Sequence, residues 1–297
     1  MEYTTVSVWC RIIVTWAPWN CPDNEQALAQ FARIRRYYLT PRRMKYLDLA
    51  WRFVGTSLLW FFFGLIGLIV SVFVFPLLYL LVRDADARQI TARNLIAAAF
   101  GAFMWGGCRM GVFSFRVTGM EHRDPDGGQL ILANHPTLID VVLLLSVLPQ
   151  VDCVIKEAVI RNPFMRASVT TANYISNFEP ADLLASCVER LESGASLLLF
   201  PEGTRTSSGQ TLEFKLGAAE VAIRAQAQIL PVVVDCRPQF LAKHEPWYSI
   251  PRSRPHFAVT ILPAISVSKL VPGGLDERHA RYELNEALVS LFEAELA

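Results

Sequence analysis

The most prominent feature of the hydropathy pattern is a run of 26 residues without a charged side chain, at 57–82. As a straight helix rising about 1.5 Å per residue it would be about 39 Å long, whereas the hydrocarbon core of a bilayer is about 30 Å thick. The run predicts insertion into a membrane, with tilt or with a bend at Gly64, Gly67 or Pro76. A buried core helix is the alternative, but few soluble domains need so long an apolar run.

A second apolar stretch at 95–108 is too short for a comfortable span and suits a helix that lies in the membrane interface. The basic residues before the first run predict a cytosolic N-terminal flank; they are Arg42, Arg43, Lys45 and Arg52. A single span would then place the rest of the chain on the other side. Two half-inserted helices arranged as a membrane-embedded hairpin would keep both flanks on one side, and the chemistry below favours that arrangement.

From Phe115 onward, short apolar runs alternate with longer segments of helical period. The predicted strands lie at 129–133, 151–155, 174–176, 196–200, 229–236 and 257–262. The predicted helices lie at 137–148, 181–192, 215–227 and 276–296. This alternation indicates an α/β domain with a central mixed sheet flanked by helices. The stretch 238–255 contains four prolines and is predicted to be a loop or lid.

The pattern divides the chain into an N-terminal extension at 1–56, membrane-attachment helices at 57–114 and the α/β domain at 115–297. Residues 1–43 hold Trp9, Trp16 and Trp19 ahead of a basic cluster. Three interpretations of this segment stay open. It is a weakly ordered extension, a stretch upstream of a true start at Met44, or a peripheral membrane contact through Trp and Arg.

Composition supports membrane attachment and argues against nucleic acid as a partner. Hydrophobic residues make up 53% of the chain and charged residues 19%, while 28 Lys and Arg against 27 Asp and Glu give a net charge of +1. The six cysteines form no Cys-x-x-Cys and no cluster with His, so we expect reduced thiols and no metal site. The chain has neither a Walker-type Gly-rich Lys loop nor a Gly-x-Ser-x-Gly elbow.

The first candidate site follows the predicted strand 129–133. This strand delivers His135 to its C-terminal edge, where open α/β sheets place their sites, and Pro136 is expected to start a helix. Asp140 would then sit in the first helical turn, within reach of the imidazole. A His paired with a carboxylate can act as a general base for a hydroxyl proton. The alternative is that His135 caps the helix and Asp140 interacts with the helix dipole.

The second candidate site follows the predicted strand 196–200. Gly203 permits a sharp turn, and Arg205 offers a planar fork for an anion or a carboxylate. Glu202 can orient that Arg or accept a hydrogen bond from a substrate hydroxyl. Lys215 is either a second anion contact or an ordinary solvated residue. An ordinary polar turn is the alternative for this block.

In this order and at this spacing the two blocks resemble the glycerolipid acyltransferase family, of which the 1-acylglycerol-3-phosphate acyltransferases are the best-known members. The resemblance covers about residues 57–265. It rests on the His-x4-Asp block at His135 and Asp140, Phe-Pro-Glu-Gly-Thr-Arg at 200–205, Phe-Lys-x-Gly-Ala at 214–218 and the strand at 229–234. An N-terminal apolar hairpin is also typical of the family.

The resemblance implies transfer of an acyl group from an acyl-CoA or acyl carrier protein thioester to a lipid hydroxyl, with no other cofactor and no metal. His135 would take the hydroxyl proton while Asp140 holds the imidazole, without a covalent acyl-enzyme. A backbone N–H such as that of Gly203 would stabilise the oxyanion. The residues implied to bind the acceptor are Glu202, Gly203, Thr204, Arg205 and Lys215. A cytosolic donor implies a membrane location, the inner membrane in a bacterium, with the catalytic domain facing the cytoplasm.

One position departs from the family pattern. Where the family usually carries a Gly-x-x-x-x-Arg stretch, this chain has Ala172 to Asn177, so Asn177 replaces the Arg that contacts the acceptor phosphate. Loss of a charge-assisted contact costs roughly 1.5 to 3 kcal/mol. Arg161 or Arg166 could substitute for it.

Lysophosphatidate and an acceptor without a phosphomonoester both remain open, the latter including lipids of specialised or polyene synthesis. Two other classes stay as alternatives: a thioester hydrolase that uses His135 on water, and a catalytically silent lipid-binding protein on the same fold.

Overall fold

A computed structural model describes residues 41–125, 127–177, 180–206 and 210–297. The expectations for residues 1–40 lie outside this part of the chain. The helices are α1 Pro41–Ile69, α2 Phe75–Leu81, α3 Ala85–Arg109, α4 Asp140–Val147, α5 Glu157–Arg161, α6 Pro163–Thr171, α7 Pro180–Glu192, α8 Leu216–Arg224, α9 Val267–Leu270 and α10 Glu277–Leu296. The strands are β1 Ser114–Thr118, β2 Gln129–Ala133, β3 Asp152–Ile155, β4 Ile175–Ser176, β5 Leu197–Leu199, β6 Gln228–Arg237, β7 His256–Ile261 and β8 Ile265–Ser266.

The strands form one mixed sheet in the order β1-β7-β6-β2-β5-β3-β4, with β8 paired to β6. The pairs β6–β2, β2–β5, β5–β3 and β3–β4 are parallel, whereas β7 runs antiparallel to β6. The prediction of an α/β fold with a central mixed sheet is thus confirmed. Because five neighbouring strands run in one direction, the residues that follow β2, β3, β4, β5 and β6 meet at one edge.

The core lies on both faces of the sheet. Successive side chains of the fully buried strand β2 belong to opposite faces of the sheet. Ile131 and Ala133 join one apolar cluster, and Leu130 and Leu132 join the other. Side chains of α3 and α4 cover the first face. Side chains of α8 and α10 cover the second, where Phe292 is fully buried. The sheet is therefore sandwiched between helical layers, and the site residues gain rigid support.

The apolar run lies in one long helical element, as predicted. Among the described residues, one helical stretch, Lys45–Leu81, is long and apolar enough to cross a membrane; its most apolar window has a mean hydropathy of 2.7 and is only 17% buried. The helix departs from α-geometry at a π segment, Val70–Val74, just before Pro76. Proline has no N–H for an α-helical bond, so a local widening here is expected. Gly64 and Gly67, by contrast, lie within an unbroken α1.

Helix α3 forms the second leg of a helical hairpin, but its position differs from the prediction. It begins at Ala85, ten residues before the predicted stretch, because the Asp84 side chain caps it by accepting from Ala87 N–H at 2.8 Å. It packs against α1 through the ring contacts Trp60–Phe103 and Phe63–Phe103.

The domain-facing side of α3 is buried between α1 and α4 and contains an ion pair of Arg93 with Asp152. The expectation that this second helix is half inserted in a membrane stays a prediction. The continuous exposed apolar surface belongs to α1 and α2.

Arg52 also differs from its predicted role as a flanking topology charge. It lies inside α1 and is only 1% exposed. Its guanidinium donates to the carbonyls of Pro251, Arg252 and Ser253 at 2.7, 2.9 and 3.0 Å. Arg52 therefore joins α1 to the proline-rich loop, and the boundary drawn at residue 57 cuts through a single helix.

Most other elements agree with the sequence to within a few residues, and 238–255 is free of helix and strand as predicted. The sequence did not predict β1, β8 and the short helices α5, α6 and α9. Helix α4 begins at Asp140, so Pro136 does not start a helix. The residues between them form a turn that is held by Asp140 itself, as described below.

Candidate active site

The His-x4-Asp block forms a hydrogen-bonded pair at the C-terminal end of β2. Nδ1 of His135 lies 2.9 Å from Oδ2 of Asp140. The imidazole is partly exposed, whereas Asp140 is fully buried at the start of α4. A carboxylate at Nδ1 fixes the tautomer with its proton on Nδ1 and leaves Nε2 as the basic nitrogen. The pair predicted from the sequence is thus brought together, with Nε2 available to a substrate proton.

Asp140 is held rigidly by the turn that precedes α4. Its Oδ2 also accepts from the Thr137 N–H at 2.7 Å, and its Oδ1 accepts from the Thr137 hydroxyl. These bonds close the turn between Pro136 and Asp140, so the chain cannot enter the helix at Pro136. Sequence reasoning missed Thr137, although a Thr three residues before a helix-starting Asp was a visible signal.

The His135 backbone is clamped from two sides. Before it, Asn134 exchanges two hydrogen bonds of 2.7 Å with the backbone of Val234 on β6. After it, Thr206 N–H donates to the His135 carbonyl at 3.1 Å. The Phe200 ring lies against the imidazole with 4.5 Å between the ring centroids. Strands β6 and β5 therefore position the general-base candidate together.

Glu202 supports this clamp from inside the protein. Its Oε1 accepts from the His135 N–H at 2.7 Å, and the side chain is almost fully buried. Burial raises the pKa of the Glu202 carboxyl above its usual value, and the bond from the His135 N–H opposes that rise. No ion pair between Glu202 and Arg205 occurs among the described residues, so the expectation that Glu202 orients Arg205 differs from the structure. Glu202 holds the His135 loop.

Gly203 makes the turn that its residue type predicts. It adopts φ +68°, and its N–H donates to the Phe200 carbonyl at 3.0 Å. Because this amide is engaged within the turn, it is not the free oxyanion donor that was expected. The Lys215 side chain lies over the glycine: a Cβ at Gly203 would stand 2.8 Å from Nζ of Lys215. Thr204 and Lys215 are both exposed beside it.

Arg205 points to the proline-rich loop. Its Nη1 donates to the carbonyls of Leu241 and Ala242 at 3.0 and 3.1 Å. Leu138 N–H donates to the same Leu241 carbonyl at 3.0 Å. Leu241 adopts φ +57°, which is uncommon for a leucine and turns its carbonyl toward both donors. Arg205 thus ties the second block to residues 241–242, a contact that its sequence position did not show.

Asn177, the departure from the family pattern, has a structural role at the C-terminal end of β4. Its Oδ1 accepts from the Glu157 N–H at 3.0 Å, and its own N–H donates to the Ile155 carbonyl at 3.1 Å. It therefore caps α5. Arg161, the possible substitute cation, is ion-paired with Glu157 on the surface of α5.

The described cysteines lack the character of nucleophiles. Cys108, Cys153, Cys187 and Cys236 are buried free thiols. Burial raises the pKa of Cys153 and of Cys236 to about 12 and that of Cys187 to about 11. Within the described ranges no group of three or more His, Cys, Asp and Glu side chains could hold a metal ion. The His135–Asp140 pair is thus the centre of the chemistry that these residues offer.

Known proteins are similar to this chain in sequence. Residues 114–235 match the family model described as Acyltransferase. The chain is 28% identical over 166 residues to 1-acyl-sn-glycerol-3-phosphate acyltransferase alpha of Mus musculus, which is 52% of this chain and 56% of that protein. It is 33% identical over 115 residues to the 1-acyl-sn-glycerol-3-phosphate acyltransferase of Helicobacter pylori, covering 36% and 48%. The chain thus spans about half the length of the curated relatives it matches.

The fold agrees with a crystal structure. The 1-acyl-sn-glycerophosphate acyltransferase of Thermotoga maritima superimposes with a TM-score of 0.60 over 82% of this chain and 98% of that chain, at 21% identity. That likeness shows a common fold. Residues 114–235 are thus similar to the family described as Acyltransferase, and the relatives that match the chain are named 1-acyl-sn-glycerol-3-phosphate acyltransferases.

Proposed function

We propose that this chain is a membrane-attached O-acyltransferase that moves a fatty acyl group from an acyl-CoA or acyl carrier protein thioester to a lipid hydroxyl. The observation that carries the proposal is the His135–Asp140 pair, with Nδ1 held at 2.9 Å and Nε2 left for substrate. Among the described residues nothing forms a hydrogen bond with Nε2, which suits a nitrogen that must accept a proton. The relatives named as acyltransferases support the same reaction.

In this reaction Nε2 of His135 takes the proton of the acceptor hydroxyl while its oxygen attacks the thioester carbonyl. Asp140 stabilises the imidazolium that forms. When the tetrahedral intermediate collapses, the carbon–sulfur bond breaks, and the imidazolium returns its proton to the departing thiolate. The acyl group passes directly to the acceptor, so no protein nucleophile is required.

Membrane attachment through α1 and α2 is part of the proposal. The helix contacts the domain at several points: Trp51 Nε1 donates to the Met110 carbonyl at 2.8 Å, and Ser71 donates to the Phe164 carbonyl. Farther along, Phe75 and Leu78 are buried against Ala92 and Ala172. Because these contacts extend from residue 51 to residue 78, a helix that crossed the bilayer would draw the domain into it. We therefore place it in the plane of one leaflet, with the catalytic domain on the cytoplasmic side.

Lysophosphatidate is the first acceptor to test, because the relatives carry that activity in their names. Lys215 beside Gly203 offers a cation near the site. A second candidate is an acceptor without a phosphomonoester, since Asn177 caps α5 in place of the cation usual at that position. Each acceptor would reach His135 from the edge of the sheet where the parallel strands end.

The test is acyl transfer by the purified full chain in lipid, with labelled acyl-CoA and acyl carrier protein thioesters offered in turn. Lysophosphatidate and lysolipids without a phosphomonoester are compared as acceptors. We expect one acceptor class to yield product, and we expect His135→Ala to abolish it. His279→Ala, which alters an exposed His on α10, serves as the matched control and should leave turnover unchanged.

Release of free fatty acid at an equal rate when the acceptor is omitted would instead show thioester hydrolysis. No turnover with any donor and acceptor would favour a silent lipid-binding protein. Full transfer by His135→Ala would overturn the mechanism.

A further inference from the structure

The proline-rich loop presents two large aromatic side chains to the outside. Trp247 is 44% exposed and Tyr248 is 55% exposed, and their rings meet edge to face with 5.7 Å between centroids. They stand between Pro246 and Pro251, which stiffen the loop. Trp and Tyr together are typical of the level of the lipid headgroups, because each joins an apolar ring to a polar tip.

The first half of this loop is fixed to the catalytic site. The Leu241 carbonyl accepts from Leu138 N–H and from Arg205, and the Ala242 carbonyl accepts from Arg205 as well. Leu138 lies three residues after His135, and its side chain is 44% exposed. Leu138 thus places an exposed apolar side chain near His135 in the sequence and joins that segment to the loop.

The second half of the loop is fixed to the apolar helix. The buried Arg52 of α1 binds the carbonyls of residues 251–253. Arg254 donates to the carbonyls of Cys108 and Phe113, at the end of α3. The neighbour of Arg52, Trp51, is half exposed. The aromatic pair therefore stands on a loop that is hydrogen-bonded both to the site and to α1, whose exposed face is apolar.

The charges of the loop complement a particular kind of surface. The loop carries Lys243 and Arg252 with one carboxylate, Glu245, whose Oε2 accepts from the Ala242 N–H, while Arg254 is bound to the carbonyls at the end of α3. Cationic side chains around exposed aromatic rings suit a leaflet that contains anionic lipid.

We propose that the loop around Trp247 and Tyr248 is a second membrane contact, which docks on an anionic lipid surface and holds the mouth of the His135 site against the leaflet. This inference rests on the proposed function and adds to it the means by which an acceptor hydroxyl reaches Nε2. The attachment of the loop to α1, whose exposed residues are largely apolar, favours a bilayer over an acidic carrier protein as the occupant, and the carrier protein is an outcome of the test.

The first test reports the environment of the loop without using activity. In the full chain with Cys10→Ser and Cys21→Ser, Tyr248→Cys is labelled with an environment-sensitive fluorophore and reconstituted in phosphatidylcholine–phosphatidylglycerol vesicles. The other cysteines are buried. Tyr282→Cys is the matched control: Tyr282 is 47% exposed and lies on α10, which covers the opposite face of the sheet from α3.

We expect the label at 248 to shift to the blue and to be quenched by brominated lipid, while the label at 282 stays in water. A label at 248 that stays water-exposed on membrane-bound protein would overturn the proposal. So would an equal shift at both positions, or a shift produced by acyl carrier protein in the absence of vesicles.

The second test separates the contact from the chemistry. We expect the double variant Trp247→Ser, Tyr248→Ser to lose about tenfold in turnover of a bilayer-embedded acceptor, the scale of removing a buried aromatic from lipid. Turnover of a water-soluble short-chain acceptor should be unchanged, and Tyr282→Ser should alter neither. An equal loss on both acceptors would contradict a membrane role. Absence of transfer by the unaltered chain would instead overturn the proposed function and leave the fluorescence result to decide the contact.

Discussion

At the scale of the residue, the imidazole of His135 owes its position to backbone contacts as much as to Asp140. Its N–H donates to Glu202, its carbonyl accepts from Thr206, and its ring rests on Phe200. A general base works only where its nitrogen is held within hydrogen-bond reach of the proton. The residues around His135 therefore matter for catalysis through geometry.

Asp140→Asn is expected to lower kcat by about 10²- to 10⁴-fold, because the amide can favour the wrong tautomer of His135 and cannot stabilise the imidazolium. The measurement is turnover at saturating donor and acceptor. Asp235→Asn, which alters a surface carboxylate paired with Arg237, is the control and should retain full activity. Retention of wild-type kcat by Asp140→Asn would contradict the role given to the pair.

Glu202→Gln is expected to stabilise the fold at neutral and alkaline pH. Burial raises the pKa of Glu202 in the folded protein. Above that pKa the buried carboxylate is charged, and its desolvation lowers the stability of the wild-type fold. As the pH falls and the carboxyl becomes protonated, this cost disappears. Gln keeps an acceptor for the His135 N–H without a charge. We expect a gain of about 1 kcal/mol near pH 8 that disappears toward acid pH.

Thermal unfolding of the two proteins across pH measures this difference. A Gln variant that is less stable than wild type at pH 8 would show that the carboxylate charge is favourable in the fold.

The sequence could predict the His135–Asp140 pair because its members are close along the chain and follow a strand that is plainly apolar. It could not predict the partners of Glu202 and Arg205. Those bonds join residues that are 67 and 36 positions apart, and no local pattern records them. Thus the sequence predicted that His135 and Asp140 lie together, whereas it did not predict the hydrogen-bond partners of Glu202 and Arg205.

At the scale of the element, the turn after β5 and the proline-rich loop behave as one unit joined by Arg205. Arg205→Lys should loosen this unit although it keeps the charge, since an ammonium lacks the planar fork. We expect chymotryptic cleavage after Trp247 or Tyr248 to become about tenfold faster, as in Arg205→Ala, because two hydrogen bonds are weakened.

Limited proteolysis of the folded chain measures this loosening. Arg224→Lys, which alters a surface ion pair of α8 with Glu220, is the control and should not change the rate. If Arg205→Lys were cleaved as slowly as wild type, the hydrogen bonds of the guanidinium would not be what holds the loop, and the positive charge alone would suffice.

Elements with strong periodicity were predictable, and short ones were not. Strand β2 is buried at all five positions, β6 extends over ten residues, and α10 shows a clear amphipathic pattern. Strand β1 has only five residues with alternating burial, and α5 has five residues in all, so neither offers enough repeats for a period to stand out. The start of α4 was misplaced because the Thr137–Asp140 contacts outweigh the preference of Pro136 for a first helical turn.

At the scale of the whole molecule, the long apolar helix is bound to the domain near both ends. Residues 52 and 79 are about 40 Å apart along a helix, more than a hydrocarbon core of about 30 Å. Yet Arg52 binds the 251–253 carbonyls, and Tyr79 lies 3.5 Å from Thr171 of α6. A transmembrane orientation would place these two contacts of one domain on opposite sides of the bilayer.

Lys45→Cys and Arg83→Cys should therefore react with a membrane-impermeant maleimide from the same side of sealed vesicles. Both positions are exposed and flank the apolar stretch. We expect labelling of both on the face that carries the catalytic domain, with Tyr282→Cys marking that face. Labelling of the two positions from opposite sides would establish a transmembrane helix and would contradict the in-plane arrangement.

An apolar helix that lies along the domain would change which concentration determines the rate of the enzyme. Such a protein and its acceptor would meet by diffusion in two dimensions, in the same leaflet. The concentration that governs encounter would then be the mole fraction of acceptor among the surrounding lipids. Inert lipid added at constant amounts of enzyme and acceptor would slow the reaction by surface dilution, although no bulk concentration had changed. The contacts of Arg52 and Ser71 would thus make lipid composition a variable of the kinetics.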